Sequence, residues 1–324
     1  MKNSFSRRAF IQKSAFGALS ISLIPQENIL FKFKGIKLGV ISYSFRSIPH
    51  TIDQLLGFCR TSGVNALEMM GDPMETYAGK PANPIVFTPP TQGQRPGLSE
   101  EQRAQLAAYN KQVADWRSTV SMDKYVEVGK KFKKAGINIY AFKPNAFGVN
   151  NSDAEIEYGM RAAKALGATS VTVELPNDAK QSQRLGDLGA KHKIYVGYHA
   201  HLQATDTLWD VALSQSPYNS LNLDCGHYIA AGGSNTKESL LALIERKHDR
   251  ITSMHIKDRT TAANGAKNLP WGTGDTPIVE ILQLMKSRKY KFPATVELEY
   301  DVPAGSDAVK EVQKCIAYAR KALS

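Results

Sequence analysis

Four short apolar runs in this chain each end on a side chain that can bind a metal ion. They are Val171-Thr172-Val173-Glu174, Leu221-Asn222-Leu223-Asp224, Ile251-Thr252-Ser253-Met254-His255 and Ala294-Thr295-Val296-Glu297. Three carboxylates and one imidazole make a donor set suited to Mn²⁺, Mg²⁺, Co²⁺ or Zn²⁺ rather than to a thiolate-seeking ion. Glu174, Asp224, His255 and Glu297 are therefore the candidate ligands of one divalent ion. Carboxylates are also candidate general acids and bases.

The runs themselves read as buried parallel strands, because they are short and rich in β-branched residues. Strand candidates recur at 36–45, 65–70, 137–143, 169–175, 194–199, 220–225, 251–257 and 294–299. Helical stretches alternate with them at about 51–62, 103–135, 152–166, 180–192, 205–215, 237–248, 276–288 and 305–322. Such alternation predicts a parallel sheet with helices outside, and eight units close into an α/β (β/α)₈ barrel. In that barrel the C-terminal strand ends converge on one mouth, where reacting groups sit. A Pro- and Gly-rich stretch, Gly71 to Gly97, follows strand 2 on the same face. It makes a long insertion, read with the polar helix beginning at Ser99 as a cover of the mouth over residues 71–120; a surface decoration is the alternative.

Side chains of a strand alternate between two faces. Thr172 shares a face with Glu174, Asn222 with Asp224, His255 with Lys257, and Glu297 with Glu299. The opposite faces are apolar and suit packing against helices. Carboxylates gathered on an inner face without a cation would be costly, so the four together point to a metal. His199 and His201 share the end of strand 5 and are candidate contacts to substrate hydroxyls. Lys257 could hold a substrate oxygen or pair with Glu297 or Glu299. Glu68 at the end of strand 2 is a further candidate substrate contact, and Asp258 a candidate acceptor that orients His255. Trp271-Gly272-Thr273-Gly274-Asp275 reads as a turn, since it lacks the spacing and the lysine of a phosphate loop.

The set V-E-L-P (173–176), Y-H-A-H (198–201), L-D-C-G-H (223–227), H-I-K-D (255–258) and V-E-L-E-Y (296–300) resembles the xylose-isomerase-like TIM barrels. That group includes sugar phosphate isomerases/epimerases, ketose 3-epimerases, inosose dehydratase and, more remotely, endonuclease IV. The resemblance runs from about Ile36 to the C-terminus. It implies Glu174, Asp224, His255 and Glu297 as metal ligands and His227 as a substrate contact over the site. It also implies a metal-dependent isomerase or epimerase, with Glu174 and Glu297 as the two catalytic carboxylates on opposite sides of a sugar or keto-sugar. A lyase or dehydratase, for instance one acting on a 3-keto-glycoside, uses the same proton abstraction and is the alternative. A barrel that only binds sugar needs no paired bases. A three-metal nuclease is disfavoured, because strands 2 and 3 end in Glu68-Met69-Met70 and Phe142-Lys143-Pro144 and no further His follows Asp258 in that loop.

The chain has 324 residues, 42% hydrophobic and 22% charged, which is ordinary for a soluble globular protein. The net charge of +11 is spread along helices such as Lys130 to Lys134, as on a solvated face, and does not call for nucleic acid. Three cysteines, Cys59, Cys225 and Cys315, form no C-x-x-C pair and predict neither a disulfide framework nor a thiolate site. Ser6-Arg7-Arg8-Ala9-Phe10-Ile11 followed by the apolar Ala15–Ile24 reads as a twin-arginine-type signal peptide over residues 1–30, leaving 31–324 as the barrel. The expectation is a periplasmic or otherwise exported enzyme without stable membrane insertion, whose partner is a small carbohydrate. Oligomeric state is left open.

Overall fold

The structure, a computed structural model, describes residues 35–85 and 98–324. The expected leader, and the middle of the expected cover (86–97), lie outside the described residues. Eight parallel strands close into a barrel: β1 (Leu38–Ile41), β2 (Ala66–Met70), β3 (Asn138–Lys143), β4 (Ser170–Glu174), β5 (Tyr195–His199), β6 (Asn219–Asp224), β7 (Ile251–Ile256) and β10 (Ala294–Val296). A two-stranded antiparallel ribbon of β8 (Asp258–Arg259) and β9 (Asn268–Leu269) follows β7 and was not anticipated. The strand order around the barrel is β1-β10-β7-β6-β5-β4-β3-β2. Among the described residues, no helix is long and apolar enough to cross a membrane.

The outer helices start where the sequence offers a cap. Thr51 with Gln54, Ser99 with Gln102, Ser152 with Glu155, and Thr236 with Ser239 form reciprocal capping boxes. The single helix expected over 103–135 is instead two, Glu100–Thr119 and Asp123–Lys134. The chain turns extended at Val120, and the second helix starts after the Ser121–Asp123 side-chain hydrogen bond. The Pro- and Gly-rich stretch also begins as a helix, Gly71–Ala78. Strand 1 is shorter than expected, because Ser42–Phe45 tightens into a 3₁₀ turn.

The register brings the chemistry-bearing ends level. Glu174 lies opposite His199, and Asp224 opposite His255. β4 and β10 stand four places apart in either direction around the eight, so Glu174 and Glu297 issue from opposite sides of the mouth.

The end of helix Glu100–Thr119 is fixed to its neighbours by a buried charge cluster. Arg117 donates to Glu75 at 3.0 Å, to Glu155 at 3.3 Å and to the Asn145 carbonyl at 3.0 Å. Tyr158 donates to Glu75 at 3.1 Å, and Trp116 meets the Tyr158 ring edge-on at 5.6 Å. This part of the expected cover is thus anchored beside the loop after β3 and on helix Asp153–Leu166. Replacing Arg117 with Met leaves Glu155 without its cation and Glu75 with Lys80 alone, 3.3 Å away. Breaking a buried pair this way is expected to cost about 3 kcal/mol, the lower end of the usual range because Lys80 remains. Urea unfolding of Arg117→Met measures it; an unchanged midpoint would show that the cluster holds nothing together.

Candidate metal centre

The floor of the site is a polar layer inside the barrel. Glu68 is fully buried there and accepts four hydrogen bonds. Thr172 donates at 2.6 Å, Tyr140 at 2.9 Å, Asn222 at 3.1 Å, and His255 Nε2 lies 2.8 Å away. Burial alone would raise the Glu68 carboxyl; the His255 charge and hydrogen bond, with Lys143 and Thr172, outweigh it and bring it down to about 2. Glu68, a candidate substrate contact in the sequence, therefore lies beneath the site, fully buried, where it orients His255. Asp258, expected in that orienting role, lies elsewhere. It accepts the backbone N–H groups of Gly272, Thr273, Gly274 and Thr276 at 2.7–3.2 Å and pins the turn after β9. That turn encloses an internal carboxylate, as a backbone nest does for an anion.

Above this floor, His199, Asp224, His255 and Glu297 each present one donor atom, all within 4.8 Å of one another. His255 Nδ1 lies 3.1 Å from Glu297 and 3.9 Å from Asp224 Oδ2, and His199 Nε2 lies 3.9 Å from the same oxygen. Ligand atoms about 2.0–2.2 Å from one ion would stand at such separations. The hydrogen bonding fits an ion as well. His255 gives its Nε2 side to Glu68, so Nδ1 faces the cluster. His199 Nδ1 faces Asn222 Oδ1 at 3.2 Å, so Nε2 faces the cluster. Both rings are thus held from behind, as metal-binding imidazoles are. Asp224 uses Oδ1 to cap the helix Cys225–Ala231 through the His227 N–H at 2.6 Å. Its buried Oδ2 has no hydrogen-bond donor; the Lys257 ammonium at 3.0 Å is a charge contact only. The residues present therefore fit a divalent ion.

The charges are matched with care. Burial and the Lys143 and His255 charges push His199 down to about 3, which leaves it neutral. Burial alone would lower His255, but Glu297 and Glu68 outweigh it and raise it to about 10. A metal ion would take the place of its Nδ1 proton. Burial would raise Glu297 too, yet Lys257 and His255 hold it well below the usual carboxylate range. Lys257 reaches Glu297 at 2.6 Å, Glu299 at 2.7 Å and Asp224 at 3.0 Å, and so pairs with all three carboxylates.

Glu174, expected as a ligand, stands outside this group, and His199, expected as a substrate contact, stands inside it. The Glu174 side chain is 53% exposed and turns to Lys143 at 3.1 Å and His201 at 3.3 Å. Burial would raise its carboxyl; the His201 hydrogen bond and the Lys143 charge prevail and keep it ionised. His201 stacks on His227 at 4.5 Å and 10°, so both line the mouth. Gly226 makes room for this. A Cβ there would come within 2.3 Å of the Lys257 side chain and 3.2 Å of Arg259. Arg259, which bonds His227, and Lys143 were not anticipated; Lys143 follows from its place at the end of β3. A separate cleft of about 530 Å³, lined by Tyr43, Arg46, His50, Met70 and Tyr77, contains none of the cluster. It adjoins the site's edge through Arg46, which donates to the Leu298 carbonyl at 2.7 Å.

Two of these shifts define a pH window for the metal-free protein. Glu68 drops from 4.5 to about 2, so its contribution is full above 4.5 and is lost as pH falls through about 2. His255 rises from 6.5 to about 10, so its contribution is full below 6.5 and is lost as pH climbs through about 10. Melting temperatures of chelator-treated protein are expected to decline from pH 6.5 toward 10, and Glu68→Gln to weaken that decline. A wild-type melting temperature flat across that range would remove the Glu68–His255 pair from the account.

No curated protein matches the sequence. Three solved structures share the fold. D-psicose 3-epimerase from Clostridium cellulolyticum H10 is 11% identical, with 89% of this chain and 100% of that chain covered and a TM-score of 0.59. The probable 3-DHS dehydratase AsbF from Bacillus anthracis is 15% identical, with 87% and 99% covered and a TM-score of 0.58. The IOLI protein, solved with a zinc atom, is 17% identical, with 89% and 98% covered and a TM-score of 0.58. These likenesses concern the barrel itself. The family described as xylose isomerase-like TIM barrel matches residues 86–320, more than half of the sequence, and it is to this family that the chain belongs.

Proposed function

We propose that the protein is a metal-dependent isomerase or epimerase that removes and returns a proton beside the carbonyl of a sugar or keto-sugar. The observation that carries this reading is the set of four donors, His199, Asp224, His255 and Glu297, gathered at the mouth around a carboxylate oxygen with no hydrogen bond of its own. A divalent ion held there would supply Lewis-acid polarisation of a carbonyl and charge neutralisation. The zinc in the IOLI protein supports such an ion, and the epimerase and dehydratase among the fold relatives support proton abstraction.

The chain's own groups divide the work. Glu174, held ionised by His201 and Lys143, is free to take a proton from one side of the mouth. Glu297 faces it from the opposite strand and serves as the second carboxylate. His201 and His227 line the opening and contact substrate oxygens, while Lys257 neutralises the carboxylates around the reacting carbon. Elimination from a keto-glycoside would begin with the same proton transfer. The twin-arginine pattern supports an exported enzyme, for which a free sugar is the natural substrate class.

One divalent ion per chain is expected by elemental analysis, and full activity in chelator with no bound metal would sink the metal centre. In heavy water, solvent deuterium at one carbon with the skeleton intact identifies epimerisation, whereas loss of water or an aglycone identifies elimination. Glu174→Gln and Glu297→Gln are each expected to slow proton exchange roughly 10²–10⁴-fold. If a Glu297→Gln protein keeps its metal and exchanges at the wild-type rate, Glu297 is a ligand only and the two-carboxylate mechanism fails.

A further inference from the structure

The reaction proposed above makes no use of the cleft of about 530 Å³ beside the site. The cleft lies on the mouth face, between the segment that follows β1 and the helix Gly71–Ala78 that follows β2. Its wall is stitched to the metal centre. β1 pairs directly with β10, with Val40 opposite Val296. Ser44 donates to the Val296 carbonyl at 3.2 Å and accepts the Leu298 N–H at 3.0 Å, so one hydroxyl grips the chain on both sides of Glu297. Arg46, in the cleft wall, donates to the Leu298 carbonyl at 2.7 Å. From β10 to the gap between β1 and β2 is one to two strand spacings, each about 4.8 Å. A group bonded to a sugar at Glu297 has that far to go to enter the cleft.

The lining says what such a group is. Tyr43, Ile48, Ile52, Met70, Pro73 and Tyr77 supply apolar and aromatic surface. Tyr43 is left 39% exposed, surface that an occupant would cover. The polar side chains are largely committed within the chain. Ser42 accepts the Met70 N–H at 2.9 Å, Thr51 caps the helix Ile52–Ser62, and Asp72 pairs with Lys80. Arg46 is the one arginine or lysine in the described lining. Its Nη1 serves the Tyr43 and Leu298 carbonyls, and its guanidinium lies 4.3 Å over the Tyr43 ring. A phosphate group calls for several converging donors, which the described lining does not supply. Small-molecule sites are typically apolar with a few polar groups, and a cavity of roughly 150 Å³ already admits a benzene ring.

We infer that the cleft is a subsite for an uncharged, ring-bearing apolar substituent of the substrate, so that the sugar at the metal centre is one carrying such a group rather than a bare monosaccharide or a sugar phosphate. The subsite stands on the walls and lining of the cleft; the sugar end of the substrate rests on the function proposed above.

The test titrates probes into full-length protein whose methionines carry a ¹³C methyl group, both zinc-loaded and chelator-treated, and follows the methyl signals. Met70→Leu identifies the Met70 signal among those of the eight methionines. The probes are 4-nitrophenyl and methyl glycosides of glucose and galactose in both anomeric forms, the phosphates of the same sugars, and 4-nitrophenol alone. Aryl glycosides should shift the Met70 signal, and at least one should bind about tenfold or more tighter than its methyl counterpart, as burial of an aryl ring allows. Thr76→Phe, which fills the cleft from an exposed position in its wall, and Tyr43→Ala should each weaken that binding about fivefold or more and leave zinc binding unchanged. No Met70 shift with any aryl glycoside overturns the inference, and binding that then appears on deletion of residues 86–97 assigns the cleft to that segment. Tighter binding of a sugar phosphate overturns it in favour of an anion site. So does 4-nitrophenol binding as tightly as its glycosides, which would make the cleft an adhesive surface only. The shifts are read without turnover, so a protein inactive on every keto-sugar counts against the proposed reaction and leaves the subsite to the titrations.

Discussion

Carboxylates that share a small volume repel one another, and the mouth of this barrel gathers Asp224, Glu297 and Glu299 around one ammonium, with Glu68 directly below. That concentration of negative charge is the constraint on which the rest of the site depends. Burying it without compensation would unfold the barrel. Each acid is therefore answered by a cation placed by a different strand or loop. Lys257 answers three of them, His255 stands between Glu68 and Glu297, and Lys143 answers Glu174. A divalent ion would fit the same accounting, since the donor atoms of His199, Asp224, His255 and Glu297 already converge.

Beneath the charges lies a floor that makes the geometry precise. Tyr140, Thr172 and Asn222 reach Glu68 from three different strands. The fixed carboxylate then fixes the His255 ring, and Asn222 fixes His199. Asp224 divides its two oxygens between a helix cap and the site. Local structure and chemistry are thereby coupled. The helix that brings His227 over the mouth starts on the same carboxylate that faces the cluster, and Gly226 permits its close approach to Lys257.

The barrel is shared by an epimerase, a dehydratase and a zinc-containing protein, so the fold does not choose the reaction. Proton abstraction beside a carbonyl is common to epimerisation and elimination. What separates them is what the substrate carries next to the reacting carbon and which oxygens the mouth can hold. On the proposed reaction, the groups that would decide this are those around the opening, His201, His227 and Glu299, rather than the buried floor.

Much of this was legible in the sequence. Strand side chains alternate with period two, and short β-branched runs ending on Glu174, Asp224, His255 and Glu297 imply both the barrel and polar residues at its mouth. The inward faces of Thr172, Asn222 and Lys257 follow from the same rule, and the barrel's strand order places β4 opposite β10 as eightfold closure requires. Alternation says which face a side chain takes but not where its end goes. Glu174 turns outward because Lys143 and His201 come from neighbouring strands. Glu68 sinks beneath His255, and Asp258 leaves for the turn at 272–276, because partners distant in sequence supply their hydrogen bonds. His199 joins the cluster for the same reason, and Arg259 finds His227 only because a ribbon after β7 folds against the helix after β6. The sequence by itself determined the scaffold and the set of chemical groups at its mouth, since both follow from local periodicity. The tertiary structure alone decided which of those groups converge, which orient a neighbour and which turn outward, since charge pairing and hydrogen bonding act between residues that only the closed barrel brings together.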